Sequence, residues 1–309
     1  MPAYPFVTVD VFTETRFGGN PLAVFPDARG LSDRDMQSLA TEFNLSETTF
    51  VLPPDDPSHT AKVRIFNTAC EMPFAGHPNV GTGVVLAQRG RDAAGVLLFE
   101  EQGGLVEVRV ERDADGTVTG ATISAPQPLT RGATLPPGLV AACAGLRTAD
   151  VVTSAHPPLL ASVGYGFVVV EVQAEALSRA TPDPVAFRRA LEQSPALEGQ
   201  LNLYLYARGP NEAQVRGEAQ VRGEGQVRAR MFAPLGGVVE DPATGSAATA
   251  LAALLLSLTG EAAGRYEITQ GVEMGRPSRL HAAAHRAADG VRASVGGRCV
   301  AVLRGEALL

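Results

Sequence analysis

The sequence is poor in residues on which several large enzyme classes depend. Its 309 residues include no tryptophan and three cysteines, and Lys62 is the one lysine. A phosphate-binding P-loop needs a Gly-Lys-Ser/Thr sequence, which does not occur here. A pyridoxal-phosphate enzyme needs a Schiff-base lysine, and Lys62 lies in an alternating run that predicts a solvent-facing strand position. The composition therefore excludes the first class and disfavours the second.

Charge, cysteine spacing and hydropathy exclude further classes. Cys70, Cys143 and Cys299 are irregularly spaced, which predicts neither a disulfide framework nor a Cys-x-x-Cys metal pair. A net charge of −7 argues against a nucleic-acid partner. The N-terminus resembles no signal peptide, and the apolar stretch Ala247–Leu258 is shorter than the roughly 20 residues of a membrane span. We expect a cytoplasmic protein with no membrane partner, and a buried helix at this stretch.

The pattern of elements predicts strands with few helices in the first half and a similar order in the second. Ser32 opens a predicted amphipathic helix, and Gly18–Pro21 has the composition of a turn. The Pro- and Thr-rich passage Pro126–Pro137 is a predicted crossover between the halves. A unit of six residues occurs as Ala213–Glu218, again as Ala219–Glu224, and in a looser form as Gly225–Arg230. Its charges of both signs favour an expanded loop or hairpin, and the alternative is a binding arm. The last copy is expected to run into the following strand.

A second internal repeat carries the information on function. Arg64-Ile-Phe66 is followed by the heptad Glu71-Met-Pro-Phe-Ala-Gly76-His77, and Arg230-Met-Phe232 by Glu240-Asp-Pro-Ala-Thr-Gly245-Ser246. Both heptads read Glu-x-Pro-x-x-Gly-(His/Ser), and both lead into an apolar stretch of small residues. The duplication with matched spacing predicts two related halves, each presenting the start of a buried helix.

Two such helix starts suit a small anionic substrate. Unpaired N–H groups and the helix dipole favour a carboxylate or phosphate, and glycine allows close approach to the backbone. Pro78 is placed as the first helical residue and Ser246 as an N-cap. The alternative is a pair of well-capped core helices, and the matched duplication favours the binding interpretation.

Titratable residues cluster near these positions. His77 and Asp241 flank the two predicted helix starts, where a neutral imidazole with a lowered pKa is expected. Glu47 lies in Asn44-Leu-Ser-Glu47-Thr, between the amphipathic helix and an apolar strand. A buried carboxyl group there would have a raised pKa, as a proton-transferring group requires; the alternative is an exposed turn glutamate.

Motifs along nearly the whole chain resemble the phenazine-biosynthesis isomerase-like family, which shares its fold with diaminopimelate epimerase and proline racemase. The matching segments are Val9–Thr13, Gly19–Pro21, Asn44–Thr48, Gly76–Pro78, Arg230–Pro234, Glu240–Ser246 and Gln270–Ser278. The resemblance implies a duplicated α+β fold in which each half wraps a sheet around a central helix. It implies an N-terminal half of 1–128, completed by a strand at 296–309, and a C-terminal half of 129–295.

The resemblance also implies a cofactor-independent isomerase that shifts a proton on a small amino or hydroxy carboxylic acid, with its site in the cleft between the halves. Glu47 would be the general base and then the acid, while His77 and Asp241 bind or polarise the substrate. The implied substrate-binding set is Asn20, Ser46, Gly76, Gly245 and Ser246. We expect no cofactor and no metal, and we expect the protein to form a homodimer.

Two other functions stay open from the sequence. Epimerases and racemases of this fold work with one thiol at each helix start. Here Ala75 precedes Gly76, and Pro242 and Ala243 precede Thr244, which argues against that function. A non-catalytic protein that binds small carboxylates is the other. The presence of Glu47, His77 and Asp241 favours an enzyme.

Overall fold

The computed structural model describes residues 2–209 and 224–309. The chain divides into two compact units, Met1–Ser124 with Gly296–Leu309, and Ala125–Val295. Most of the first two copies of the 213–230 repeat lies outside the described residues, whereas the third copy lies in a strand, as predicted. In the described part of the chain, no helix has the length and hydropathy needed to cross a membrane.

In the first unit, five strands precede one buried helix, α2, and three follow it. Its elements in chain order are β1 (Ala3–Val11), β2 (Asn20–Phe25), α1 (Asp33–Phe43), β3 (Glu47–Leu52), β4 (Ala61–Phe66), β5 (Glu71–Met72), α2 (Gly76–Ala87), β6 (Val96–Glu101), β7 (Gly104–Arg112) and β8 (Val118–Ser124).

The strands of the first unit close on themselves around α2. The final strand of the chain, β18 (Gly290–Leu308), pairs with β8 and, over residues 299–308, with β1. Between them the order runs β1, β2, β3, β4, β6, β7 and β8, with parallel pairing of β2 to β3 and of β4 to β6. All residues of α2 are buried, so the predicted arrangement of a sheet wrapped around a central helix is confirmed.

Helix α1 begins at the residue that the sequence predicts. Ser32 is the N-cap, and its side chain accepts a hydrogen bond from the Asp35 backbone in a capping box. Asn44 ends the helix in the left-handed conformation, with φ of 51°. Met36, Leu39 and Ala40 point into the core, which is the face that the 3.6-residue period predicts.

The second unit repeats this plan. Its elements are β9 (Thr130–Thr134), α3 (Pro137–Cys143), β10 (Val151–Val152), β11 (Leu159–Ser162), β12 (Gly166–Val172), α4 (Ala174–Arg179), α5 (Pro184–Glu192), β13 (Leu203–Arg208), β14 (Glu224–Ala233), β15 (Val238–Asp241), α6 (Gly245–Ser257), β16 (Ala263–Gln270), β17 (Ser278–Ala287) and the start of β18. Helix α6 packs against β16 and β17 with most of its surface buried.

The two units share one substructure in register. In the first, β5 pairs with β4 so that Glu71 lies opposite Phe66. In the second, β15 pairs with β14 so that Glu240 lies opposite Phe232. Each short strand leads into the buried helix, and each helix connects two parallel strands, β4 to β6 and β14 to β16. The predicted duplication is therefore confirmed in the folded chain.

The structure corrects three details of the sequence analysis. Pro126–Pro137 is not a bare crossover, since β9 lies within it and pairs with β11. Asn20 and Pro21 belong to β2 and not to the preceding turn. The buried helices begin earlier than predicted, at Gly76 and Gly245, because small residues there enter the helix directly.

Candidate active site

Glu47 is positioned by the junction of α1 and β3. After Asn44 turns the chain out of α1, Leu45 and Ser46 bring it to the first residue of β3. The parallel pairing of β2 and β3 sets Glu47 opposite Leu22. The Glu47 side chain is 18% exposed, and Ser46 beside it is half-buried. Strand pairing fixes the position of Glu47, and part of its side chain is exposed to solvent.

His77 faces Glu47 from the start of α2. Its Nε2 lies 3.5 Å from Oε2 of Glu47, and its side chain is 5% exposed. Burial lowers the pKa of His77 to about 3, so the ring is neutral at physiological pH. Asn20 Nδ2 lies 3.3 Å from Nδ1 of His77. The backbone of Pro21 also forms a hydrogen bond with the ring, so both Asn20 and Pro21 help to hold His77 in place.

The start of α2 has no side-chain cap. Ala75 is the N-cap and forms no capping hydrogen bond, and Gly76 and His77 are the first two helical residues. The prediction that Pro78 is the first helical residue is therefore wrong, since Pro78 is the third. The predicted residues Asn20, Glu47, Gly76 and His77 thus gather at one place in the first unit.

The matching start of α6 is arranged differently. Thr244 is the N-cap, and it too forms no side-chain cap, while Gly245 and Ser246 are the first two helical residues. The prediction that Ser246 is the N-cap is therefore wrong. The Thr244 hydroxyl instead donates to Oδ2 of Asp241 at 2.6 Å. Asp241 is buried at the end of β15.

Gln270, at the end of β16, holds this turn together. Its Nε2 donates to the backbone oxygen of Asp241 at 2.8 Å and to Oγ1 of Thr244 at 3.0 Å. Its Oε1 accepts from the Thr244 backbone and from the Tyr204 hydroxyl, each at 3.3 Å. Burial, with a smaller effect of the Asp241 charge, raises the pKa of Tyr204. Sequence reasoning quoted Gln270 within a family motif but assigned no role to Gln270 or Thr244.

The glutamate that opens each heptad forms a two-bond ion pair with the arginine of the preceding strand. Arg64 binds Glu71 through Nε and Nη2 at 2.7 and 2.6 Å, and Arg230 binds Glu240 at 2.8 and 2.8 Å. Each guanidinium lies over a phenylalanine ring, Phe66 at 5.1 Å and Phe232 at 4.9 Å. These repeated groups join the strand to the turn before the helix.

No thiol of the described residues lies at either helix start. Cys70 is exposed in the loop before β5, Cys143 ends α3, and Cys299 lies in β18. Burial raises the pKa of Cys143 and of Cys299 to about 12, so neither is a thiolate at neutral pH. Across residues 2–209 and 224–309, no cluster of three or more His, Cys, Asp or Glu has the geometry of a metal site.

The comparisons with known proteins agree with this fold. The family model described as phenazine biosynthesis-like protein matches residues 9–305. Trans-2,3-dihydro-3-hydroxyanthranilate isomerase of Pseudomonas aeruginosa is 38% identical over 309 residues, covering 98% of this chain and 99% of that protein. An uncharacterized isomerase of Mesorhizobium japonicum is 37% identical over 280 residues, covering 89% and 88%.

The solved structures support the fold independently. The crystal structure of a Bacillus anthracis phenazine biosynthesis protein of the PhzF family has a TM-score of 0.83 at 22% identity, covering 100% of both chains. The architecture is the duplicated α+β fold of diaminopimelate epimerase-like proteins, and the protein is an isomerase. The chain belongs to the phenazine biosynthesis-like family.

Proposed function

We propose that this isomerase shifts a proton, without a cofactor, on a small cyclic amino or hydroxy carboxylic acid of the trans-2,3-dihydro-3-hydroxyanthranilate type. Glu47 is the general base and then the general acid. The observation that carries the proposal is the pair formed by Glu47 and neutral His77, with Nε2 and Oε2 3.5 Å apart. The 38%-identical P. aeruginosa relative, named for isomerisation of that compound, supports the substrate class.

The proposed step conserves atoms and electrons within the substrate. The Glu47 carboxylate takes a proton from a substrate C–H bond, and the electron pair of that bond moves into the adjacent π system. The carboxylic acid then returns a proton to another carbon of the same system, which relocates the double bond. A carboxyl group suits both halves of this step because it is a base when ionised and an acid when protonated.

His77 supports that exchange because its own charge does not change. A pKa of about 3 keeps the ring neutral whether Glu47 is ionised or protonated. When its proton is on Nε2, the ring donates to the Glu47 carboxylate or to a polar group of the substrate. Asn20 orients the ring through its contact with Nδ1.

Substrate binding is assigned to groups of both helix starts. The uncapped N–H groups of Gly76 and His77, and of Gly245 and Ser246, favour a carboxylate. Ser46 lies next to Glu47 in the chain and is assigned to the same binding set. Asp241 is assigned to the amino or hydroxyl group of the substrate, since its carboxyl group is buried and oriented by Thr244.

Deuterium exchange tests the role of Glu47. The protein is incubated with trans-2,3-dihydro-3-hydroxyanthranilate in deuterated buffer, and turnover and deuterium incorporation are followed by mass spectrometry. Glu47→Gln keeps the size of the side chain and removes the base, so we expect a loss of about 10²- to 10⁴-fold. Glu42→Gln, on the exposed face of α1, is the matched control and keeps full activity.

Each outcome has a distinct meaning. Equal exchange in the wild type and Glu47→Gln rejects Glu47 as the proton carrier. Thermal stabilisation of the wild type by the compound without exchange would support a non-catalytic carboxylate-binding protein instead. Exchange into a different cyclic amino acid, lost in Glu47→Gln, keeps the mechanism and changes the substrate.

A further inference from the structure

A groove between α3 and α5 is not used by the proposed reaction. It lies wholly within the second unit and has a volume of about 570 Å³. Its apolar surface includes Leu139 and Ala142 of α3 and Val185 and Ala186 of α5. Small-molecule sites in proteins have volumes of about 300–1,000 Å³ and mostly apolar walls. The groove therefore has the size and the surface of a site for a small molecule.

The two helices that form the groove are held together before any ligand binds. The backbone N–H of Asp183, directly before α5, donates to the carbonyl oxygen of Cys143 at the end of α3, at 2.9 Å. Leu139 and Ala186, one from each helix, also pack against the hydrophobic core of the second unit. A preformed site lowers the entropy cost of binding, because the protein has little left to order.

Two donor side chains that line the groove are without partners. Arg189 and Gln193 lie four residues apart at the end of α5, on the same face of the helix. Within residues 2–209 and 224–309, neither side chain forms an ion pair or a hydrogen bond. The carboxylate that lines the groove, Asp183, is engaged, since its Oδ1 accepts from the backbone N–H groups of Val185 and Ala186 at 2.8 and 3.3 Å. The groove therefore offers a guanidinium and an amide to an acceptor.

We propose that this groove binds a small monocarboxylic acid with an apolar body. The guanidinium of Arg189 donates two parallel hydrogen bonds to the carboxylate, and the Gln193 amide donates a third. The apolar body of the ligand lies on Leu139, Ala142 and Ala186. The proposal does not rest on the proposed function, because none of these residues takes part in the proposed reaction.

The charges along α5 determine the orientation of the ligand. Asp183 precedes Arg189 by six residues, which corresponds to about 9 Å along the helix axis. The carboxylate of Asp183 repels an anion from the first turn, whereas Arg189 attracts it to the last turn. One guanidinium matches one carboxylate, while the apolar surface gives no further donors for a dianion such as phosphate. The ligand class is therefore an apolar monoanion, with its charged end at Arg189.

Tryptophan fluorescence of the intact protein tests the groove, because the chain contains no tryptophan of its own. Val185→Trp places one reporter at the groove, at a position that is 69% exposed and tolerates a larger side chain. Octanoate is the probe, and octanamide is its uncharged counterpart. We expect a saturable change in fluorescence with octanoate and weaker binding of octanamide. Leu308→Trp, at an exposed position in the first unit, is the reporter control and should not respond.

Substitutions in the Val185→Trp protein identify the contacts. Arg189→Gln should weaken octanoate binding by about 3- to 10-fold, because its guanidinium is exposed and partly screened by water. Arg188→Gln removes the same charge from the neighbouring residue, which does not line the groove, and as the matched control should leave the affinity unchanged. Ala142→Leu fills the groove from an exposed position on α3 and should abolish binding.

Each result supports or overturns the proposal. No saturable change with octanoate rejects the site. Equal affinity for octanoate and octanamide, or equal effects of Arg189→Gln and Arg188→Gln, rejects recognition of the carboxylate by Arg189. Undiminished binding in Ala142→Leu means that octanoate binds elsewhere and rejects the groove. If Val185→Trp does not fold, titration calorimetry of octanoate with the wild type and the same three variants decides between these outcomes.

Discussion

His77 Nε2 lies 3.5 Å from Oε2 of Glu47, although the two residues belong to different elements of the first unit. Glu47 comes from a strand start fixed by the left-handed Asn44, and His77 from the second residue of a buried helix. Their proximity depends on the parallel pairing of β2 and β3 and on the packing of α2 inside the closed sheet. Because the histidine is buried and neutral, the free energy of unfolding should depend on pH.

Acid should destabilise the protein through His77. The pKa of this ring falls from 6.5 to about 3 on folding, so below pH 6.5 the unfolded chain binds a proton that the folded chain excludes. The free energy of unfolding should therefore drop by up to about 1.4 kcal/mol per pH unit between 6.5 and 3. Denaturant unfolding at several pH values measures this slope, and His77→Gln should reduce it. The same slope in both proteins contradicts a neutral buried imidazole.

Removal of the Thr244 hydroxyl should destabilise the turn at Asp241. Thr244→Val leaves the Asp241 carboxyl group without a 2.6 Å donor and removes an acceptor of Gln270. Hydrogen bonds to charged groups contribute about 1.5–3 kcal/mol, so we expect a loss of this size in urea unfolding. Thr130→Val, at an exposed position on β9, is the control and should change stability by less than about 0.5 kcal/mol. An equal effect of both substitutions excludes a specific role for the Thr244 hydroxyl.

The sequence predicted those parts of the site that repeat or have a local signature. The two heptads indicated two buried helices, and the Asn44–Thr48 segment located Glu47 at the end of a helix. The hydrogen bonds of Gln270 to Thr244 and of Tyr204 to Gln270 join residues far apart in the chain. No spacing rule predicts such contacts, since they depend on which strands become neighbours. The exact helix starts were missed because Gly76 and Gly245 weaken the usual capping pattern.

A methyl group on Gly81 should destabilise α2, although alanine is normally the better helix former. A Cβ atom at this position would lie 2.6 Å from Leu22 Cδ2 and 2.8 Å from Val11 Cγ2, which is too close for the packed core. Overpacking costs about 1–3 kcal/mol and outweighs the gain of about 1 kcal/mol in helix propensity. Gly138→Ala in α3, where the nearest atom is a side-chain hydroxyl at 3.2 Å, should be neutral or stabilising. Thermal unfolding compares the two, and a stabilised Gly81→Ala protein contradicts the tight packing.

The two repeated arginines should differ in their sensitivity to lysine. Lysine keeps the charge but cannot form the two parallel bonds of the guanidinium. Arg230 is 7% exposed and also donates through Nη1 to the backbone oxygens of Leu177 and Ala180, at 3.0 and 2.7 Å, whereas Arg64 is 19% exposed. Arg230→Lys leaves these buried acceptors and Glu240 incompletely paired.

We therefore expect Arg230→Lys to lower the free energy of unfolding by about 3 kcal/mol or more, and Arg64→Lys by about 1–2 kcal/mol. The matched registers make each arginine the control for the other, because both lie over a phenylalanine and bind the first glutamate of a heptad. Guanidinium unfolding followed by circular dichroism measures both losses. Equal losses would mean that the two carbonyl bonds of Arg230 contribute no more than the bond from Nη1 of Arg64 to the exposed Asp33.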